Sequence, residues 1–263
     1  MHALGYSWAP MPIRAISFDL FDTLVDLLTE TIPRVEYCGH TVPAMLSRLH
    51  VLVAQKTPVD FDEFLRVMKE VDGEFRQSHY ANHRELTTGE RFEALLGRLG
   101  SADGELVTAM VDAHMGGLYE QVEFVEHHRA VLSELKDNFR LAVCSNFSHS
   151  ETAHRVLRSA GLDDLMDAIL ISDAVGIRKP AAKIFRDTLE ALDVEPGELL
   201  HVGDSLGADV AGAAALGIRT VWIVRRVQDP EAALRKQPDL SPDYQIADLA
   251  EIPSLIRSLD SGS

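Results

Sequence analysis

Four short stretches of the 263-residue chain place acids, a lysine and small polar side chains at spacings that chemistry can use. In the first, IRAISFDLFDTL at 13–24, an apolar run ends at Asp19, and Asp22 and Thr23 follow within one turn. In the second, LAVC at 141–144 runs into Ser145 and Asn146. The third carries Arg178, Lys179 and Pro180; the fourth carries Gly203, Asp204 and Ser205, with Asp209 one turn on. Carboxylates from separate segments make a hard-oxygen cation site. A lysine offers charge to anionic oxygens, and Ser and Asn offer hydrogen bonds.

These stretches meet only if the elements carrying them share an edge. Short apolar runs at 13–18, 141–144, 168–171, 199–202, 220–224 and 244–246 read as strands. Helical patterns at 129–135, 151–160, 181–192, 208–216 and from 248 alternate with them. That alternation predicts an α/β fold, a Rossmann-like doubly wound parallel sheet. Parallel strands share one carboxyl edge, where open α/β sheets bind ligands. Residues 27–126 interrupt the pattern. Phe61, Phe64, Leu65, Met68, Val71 and Phe75 mark one helix face. Thr87 and Glu90 read as a capping box, and Asp103 as a further cap. A less regular helix is expected over 33–55. The expected organisation is a loose leader at 1–12, a core at 13–26 and 127–263, and an all-helical insertion at 27–126.

The formal net charge of -16, from 25 Lys+Arg against 41 Asp+Glu, argues against nucleic acid or an anionic membrane as partner. A small anionic substrate remains compatible, because a local lysine and a cation outweigh the global charge. Cys38 and Cys144 lie far apart and read as reduced thiols. No apolar run is long enough to span a membrane, and residues 1–12 lack a signal-peptide pattern. The expectation is a cytoplasmic protein; apolar residues of the insertion would allow a homodimer.

With the four motifs in order (DLFDTL at 19–24, SN at 145–146, KP at 179–180, GDSLGAD at 203–209), the chain resembles the haloacid dehalogenase superfamily of hydrolases. The resemblance is to the subgroup with a helical cap inserted after the first strand. It implies that Asp19 is a nucleophile forming an aspartyl intermediate that water hydrolyses. It also implies Mg²⁺, held by Asp19, the backbone carbonyl of Phe21, Asp204 and, directly or through water, Asp209. Lys179 would hold the nucleophile and face the transferring oxygens. Ser145, Asn146, Leu20 (the last two by backbone N–H) and Thr23 complete the substrate-binding set.

One position departs from the pattern. Phosphatases of this family usually carry an acid two residues after the nucleophile; here that residue is Phe21, and Asp22 is the candidate replacement one position on. An aromatic residue there also resembles the metal-independent 2-haloacid dehalogenases, whose leaving halide needs no proton. Their fourth motif typically reads Ser-Ser-Asn, however, and their Tyr after Lys-Pro is Phe185 here. The acids Asp204 and Asp209 give more weight to phosphoryl chemistry. The expected function is a Mg²⁺-dependent phosphatase of a small phosphorylated metabolite. The alternatives are a 2-haloacid dehalogenase and a near-inactive binding protein of the same fold. Arg84, Arg91 and His149 are further candidates for substrate contact. The His127-His128 and His79/His83 pairs read as ordinary surface or interdomain histidines.

Overall fold

The computed structural model describes residues 11–261. The expected leader at 1–12 therefore lies, apart from Met11 and Pro12, outside the described residues. The first strand, β1 (Ala15–Phe18), is buried at all four positions. After the motif turn, β2 (Val25–Leu27) leads into the insertion. Next come a hairpin of β3 (Arg34–Tyr37) and β4 (His40–Pro43), then helices Ala44–Ala54, Phe61–Ser78, Thr88–Arg98 and Gly104–Tyr119. The return strand β5 (Val122–Phe124) pairs antiparallel with β2, matching Val25 to Phe124 and Leu27 to Val122. The insertion thus enters and leaves through one two-stranded ribbon.

Beyond the ribbon, β6 (Arg140–Ser145), β7 (Ala168–Ile171), β8 (Leu199–Gly203), β9 (Arg219–Ile223) and β10 (Tyr244–Ile246) join β1 in one parallel sheet. The spatial order is β10-β9-β8-β1-β6-β7. Its centre is β1, with β6 and β8 on opposite sides, so the chain direction across the sheet reverses there. A crevice opens at the carboxyl ends of strands at such a point. Phe18 lies opposite both Val143 and Val202, which sets Asp19 between the ends of β6 and β8.

Two expectations are corrected. The insertion is mostly, not wholly, helical, because residues 34–43 form a hairpin where a helix was expected. Cys38 and Gly39 at its tip both have positive φ, 49° and 80°, the backbone that a two-residue hairpin turn requires. Val35, Thr41 and Val42 are β-branched, and the helix starts only after Pro43. The helix expected over 208–216 is instead a wide turn at Leu206–Val210 followed by Ala211–Ala214. There the N–H groups of Asp209 and Val210 both donate to the Ser205 carbonyl, at 2.9 and 3.2 Å.

The insertion has its own apolar centre around Phe64, Phe92, Leu95, Leu96 and Met110. The capping box at Thr87 and Glu90 forms, and Asp60 and Asp103 cap the helices that follow them. Phe147, just past β6, packs against this cluster and against the core cluster.

Below the crevice, the Pro180 loop packs on Gly212. A Cβ on Gly212 would lie 2.4 Å from a ring carbon of Phe185 and 2.8 Å from Pro180 Cα. Gly212→Ala should therefore cost about 1–3 kcal/mol by overpacking. It should also lower activity by shifting the segment that carries Lys179. Gly73→Ala, inside the helix Phe61–Ser78 at a point where a Cβ meets nothing within 4 Å, should be neutral or stabilise by up to ~1 kcal/mol. Urea denaturation of both variants beside the parent checks the pair.

Candidate active site

Three strand ends and one loop converge as the topology requires. Asp19 leaves β1 with its N–H donating to the Val202 carbonyl, 2.9 Å away. Lys179 reaches it from the loop after β7. The ammonium is 1% exposed, and its three protons meet three acceptors: Asp19 Oδ1 at 2.8 Å, Asp209 Oδ1 at 2.5 Å and the Cys144 carbonyl at 2.7 Å. All its donors are thus engaged, so Lys179 acts on a ligand through charge and through the placement of Asp19. The Ser145 hydroxyl faces the same carboxylate and favours its charged form.

Asn146 grips the other side of the lysine. Its Oδ1 accepts from the Lys179 N–H at 2.7 Å and its Nδ2 donates to the Lys179 carbonyl at 3.0 Å, beside a cis Lys179-Pro180 peptide. Its side chain therefore positions Lys179 and is not offered to a substrate.

Asp209 is 1% exposed with both oxygens engaged. Oδ1 meets Lys179 and His201 Nε2 (3.1 Å); Oδ2 accepts from the Ser205 N–H at 3.0 Å. His201 Nδ1 lies 2.8 Å from Ser17 Oγ. A carboxylate only accepts, so Nε2 carries the proton and Nδ1 accepts from Ser17. Ser17 and His201 face each other in register on β1 and β8. Sequence reasoning missed this pair, although each is the one polar side chain in its strand (AISF, LLHVG). Gly203 leaves room for Asp209: a Cβ there would lie 2.2 Å from Asp209 Cγ.

The electrostatics follow. Burial alone would push the Lys179 pKa down, but the Asp19 and Asp209 charges hold it above the usual lysine range. Burial opposes ionisation of Asp209, yet Lys179 and His201 hold its pKa well below the usual carboxylate range. Asp19 is pushed up, by burial first and by the Asp209 charge, against the pull of Lys179. Asp204 is pushed up to about 8, by burial and then by the charges of Asp19, Asp209 and Asp22. Oxygens of Asp19, Asp204 and Asp209 lie within 4.8 Å of one another. Three carboxylates thus face one ammonium, a hard-oxygen set with excess negative charge that fits a Mg²⁺-class ion.

The remaining expected residues are placed differently. Thr23, expected to bind substrate, is wholly buried, so its side chain is not available to a ligand. Leu20 is also wholly buried, and its carbonyl closes the turn by accepting from the N–H groups of Leu24 and Val25. Phe21 stacks at a tilt on Phe147, with ring centroids 4.7 Å apart. Asp22 sits at φ 57°, with Oδ1 accepting from the Leu27 N–H at 3.2 Å and lying 3.4 Å from Arg226 Nε. Its carboxylate is held at the base of the ribbon.

In the cap, Arg91 is paired two-pronged with Asp72, at 2.7 Å for each bond. It lines a cavity of about 200 Å³ with Tyr80, Thr88, His114 and, from the core, Ser148. Arg84 is held by its backbone against Ile177, and His149 caps the helix Ser150–Ala160. Cys38 is exposed and Cys144 buried, both as free thiols. Among the described residues, no helix is long and apolar enough to cross a membrane.

Known proteins share this architecture. A family model described as haloacid dehalogenase-like hydrolase matches residues 13–217. A glyceraldehyde 3-phosphate phosphatase of Pyrococcus furiosus is 30% identical over 253 residues, 94% of this chain and 93% of that protein. A 2-haloacid dehalogenase of Pseudomonas syringae pv. Tomato DC3000 superposes with a TM-score of 0.67 at 23% identity, covering 94% of this chain and 99% of its own. A HAD hydrolase of Bacillus subtilis bound to magnesium gives 0.59 at 22% identity, with the same coverages. At such identities the two solved structures share the fold.

The Asp204 shift has a measurable sign. Unfolded, Asp204 loses its proton near the ordinary value of about 4; folded, it does so at about 8. Its contribution to stability is therefore present below pH ~4 and lost as the pH rises towards 8. A divalent cation bound there would replace the missing proton. Without one, thermal stability should fall from pH 5 to pH 8, and Mg²⁺ should raise Tm more at pH 8 than at pH 5. Both effects should shrink in Asp204→Asn; equal Mg²⁺ shifts at the two pH values would contradict this assignment.

Proposed function

This chain belongs to the haloacid dehalogenase-like hydrolases, and within that family we propose that it is a phosphatase of a small phosphorylated metabolite, acting through a phosphoryl-aspartate at Asp19. The observation that carries the proposal is the meeting of Asp19, Asp204 and Asp209, whose carboxylate oxygens lie within 4.8 Å of one another and push the Asp204 pKa up. A site that expels halide without a metal has no use for this excess of carboxylates; a site that neutralises a phosphoryl group through a cation requires it. The name of the Pyrococcus furiosus relative supports phosphoester chemistry.

Asp19 is the nucleophile. Lys179 holds its carboxylate, so its attacking oxygen is oriented before substrate arrives. Asp19, Asp204 and the Phe21 backbone carbonyl would hold Mg²⁺. When bound, that ion supplies charge neutralisation for the phosphoryl oxygens. Asp209 keeps Lys179 charged and fixed, and His201 keeps Asp209 ionised. The backbone N–H groups at Leu20 and Asn146 contribute to the oxygen cradle. The substrate is a small anion, and its non-phosphoryl part meets the cap. The protein works in the cytoplasm.

Protonation of the leaving group is the weak step. Phe21 cannot supply a proton, and Asp22 is engaged by the Leu27 N–H beside Arg226. The leaving oxygen is therefore protonated by water or by the substrate itself, at a cost of about 10²–10⁴ in rate relative to a positioned acid. The dehalogenase reading draws on the same Phe21. Against it, Phe185 is wholly buried against His201, with ring centroids 5.1 Å apart, and faces no substrate.

The test is a panel of phosphometabolites, p-nitrophenyl phosphate and 2-chloropropionate, with and without Mg²⁺. Mg²⁺-dependent phosphate release that disappears in Asp19→Asn is expected. Phe21→Asp should speed alkyl phosphates about tenfold or more and leave p-nitrophenyl phosphate, whose leaving group needs no proton, nearly unchanged. Asp22→Asn should spare both classes. Chloride release without metal would overturn the proposal in favour of the dehalogenase, and loss of alkyl-phosphate turnover alone in Asp22→Asn would make Asp22 the acid.

A further inference from the structure

A second cluster of metal-ligating side chains lies outside the crevice, at the foot of the linker ribbon. His127 and His128 begin the helix that follows the ribbon, and Asp248 begins the last helical segment. His127 Nε2 lies 2.7 Å from Asp248 Oδ1. His128 is 1% exposed, with Nδ1 2.9 Å from the Leu24 carbonyl oxygen. A carbonyl only accepts, so Nδ1 carries the proton and Nε2 keeps its lone pair. That nitrogen is buried and meets no hydrogen-bond partner. One ligating atom from each of the three residues falls within 4.8 Å of the others.

We propose that His127, His128 and Asp248 form a second metal site, for a Zn²⁺-class transition-metal ion, distinct from the carboxylate site in the crevice. Two imidazoles and one carboxylate suit a borderline ion with four-coordinate geometry, whereas the crevice offers only hard oxygens. The bond from His128 Nδ1–H to the Leu24 carbonyl is the outer-shell contact that fixes a ligating histidine's tautomer and ring orientation. The side chain of His127 is half exposed, which gives an ion an entry path.

The surroundings bear on affinity. Asp248 Oδ1 also caps the Ala250 N–H at 2.8 Å, so the ion shares that carboxylate with a helix start. Arg225 is the nearby cation, and its guanidinium is paired two-pronged with Asp26, at 2.7 and 2.5 Å. Leu24 leads directly into β2, the strand through which the chain enters the cap. An ion here would tie the foot of the ribbon to the C-terminal helical segment.

The experiment uses the full chain, stripped with chelator and held in excess Mg²⁺. Zn²⁺ binding is measured by calorimetry and Co²⁺ binding by its visible absorption, both in an Asp204→Asn background that disables the crevice site. One equivalent is expected. His128→Gln and His127→Gln should each weaken binding about 100-fold or more, beyond the 10- to 100-fold typical of losing an outer-shell partner. The exposed His127→Gln keeps the test valid if the buried substitution compromises folding, which circular dichroism reports. No Zn²⁺ or Co²⁺ binding in the Asp204→Asn protein, or binding unchanged in His127→Gln, would overturn the site.

Discussion

The interaction on which the active site depends is the buried ammonium of Lys179. A lysine 1% exposed keeps its charge only where opposite charges outweigh the loss of water, and here two carboxylates do so at 2.5 and 2.8 Å. The need to hold that charge explains much around it. Asn146 grips the lysine's own backbone, His201 and the Ser205 N–H occupy the rest of Asp209, and Gly203 and Gly212 leave the space that these contacts require. Removing either carboxylate would leave a buried charge short of a partner, which is costlier than the net worth of an intact pair.

The same loop couples chemistry to the cap. Residues 176–178 exchange backbone bonds with the cap: the Glu85 N–H donates to the Gly176 carbonyl and the Arg178 N–H to the His83 carbonyl. Glu85 is buried against the Ser172 hydroxyl and lies 3.4 Å from Arg178, whose guanidinium covers the Tyr80 ring at 4.4 Å. On the other side, Thr88 donates its N–H to the Ser148 carbonyl, three residues beyond Ser145. The cap is thus docked on the two loops that carry Lys179 and Ser145. These contacts link the cap to the segments that hold the groups around Asp19.

Much of this is legible in the chain. The parallel core follows from alternating periods, and the meeting of Asp19, Ser145, Lys179 and Asp204 follows from four apolar runs that each end in polar residues. What escaped has physical causes. The hairpin at 34–43 escaped because its tip is Cys38-Gly39, not one of the commoner turn pairs, and Pro43 alone does not separate a strand end from a helix start. His201 escaped because a histidine inside an apolar strand shows its partner only once register puts it opposite Ser17. Asp209 was legible as an acid at a helix start, but its commitment to Lys179 was not, since pairing across 30 residues depends on tertiary structure. Thr23 and Asp22 sit in the right turn, yet backbone angles, φ 57° at Asp22, decide which side chains enter the crevice.

Whether Asp19, held by Lys179, becomes covalently phosphorylated during turnover is the most direct question for this account. Rapid acid quench during turnover with Mg²⁺ and the best phosphorylated substrate, followed by mass spectrometry of the peptide containing residues 15–24, answers it. A transient phosphoryl adduct on Asp19, absent in Asp19→Asn, is the result the account predicts. Steady phosphate release with no adduct at Asp19, or with the adduct on another side chain, would contradict it.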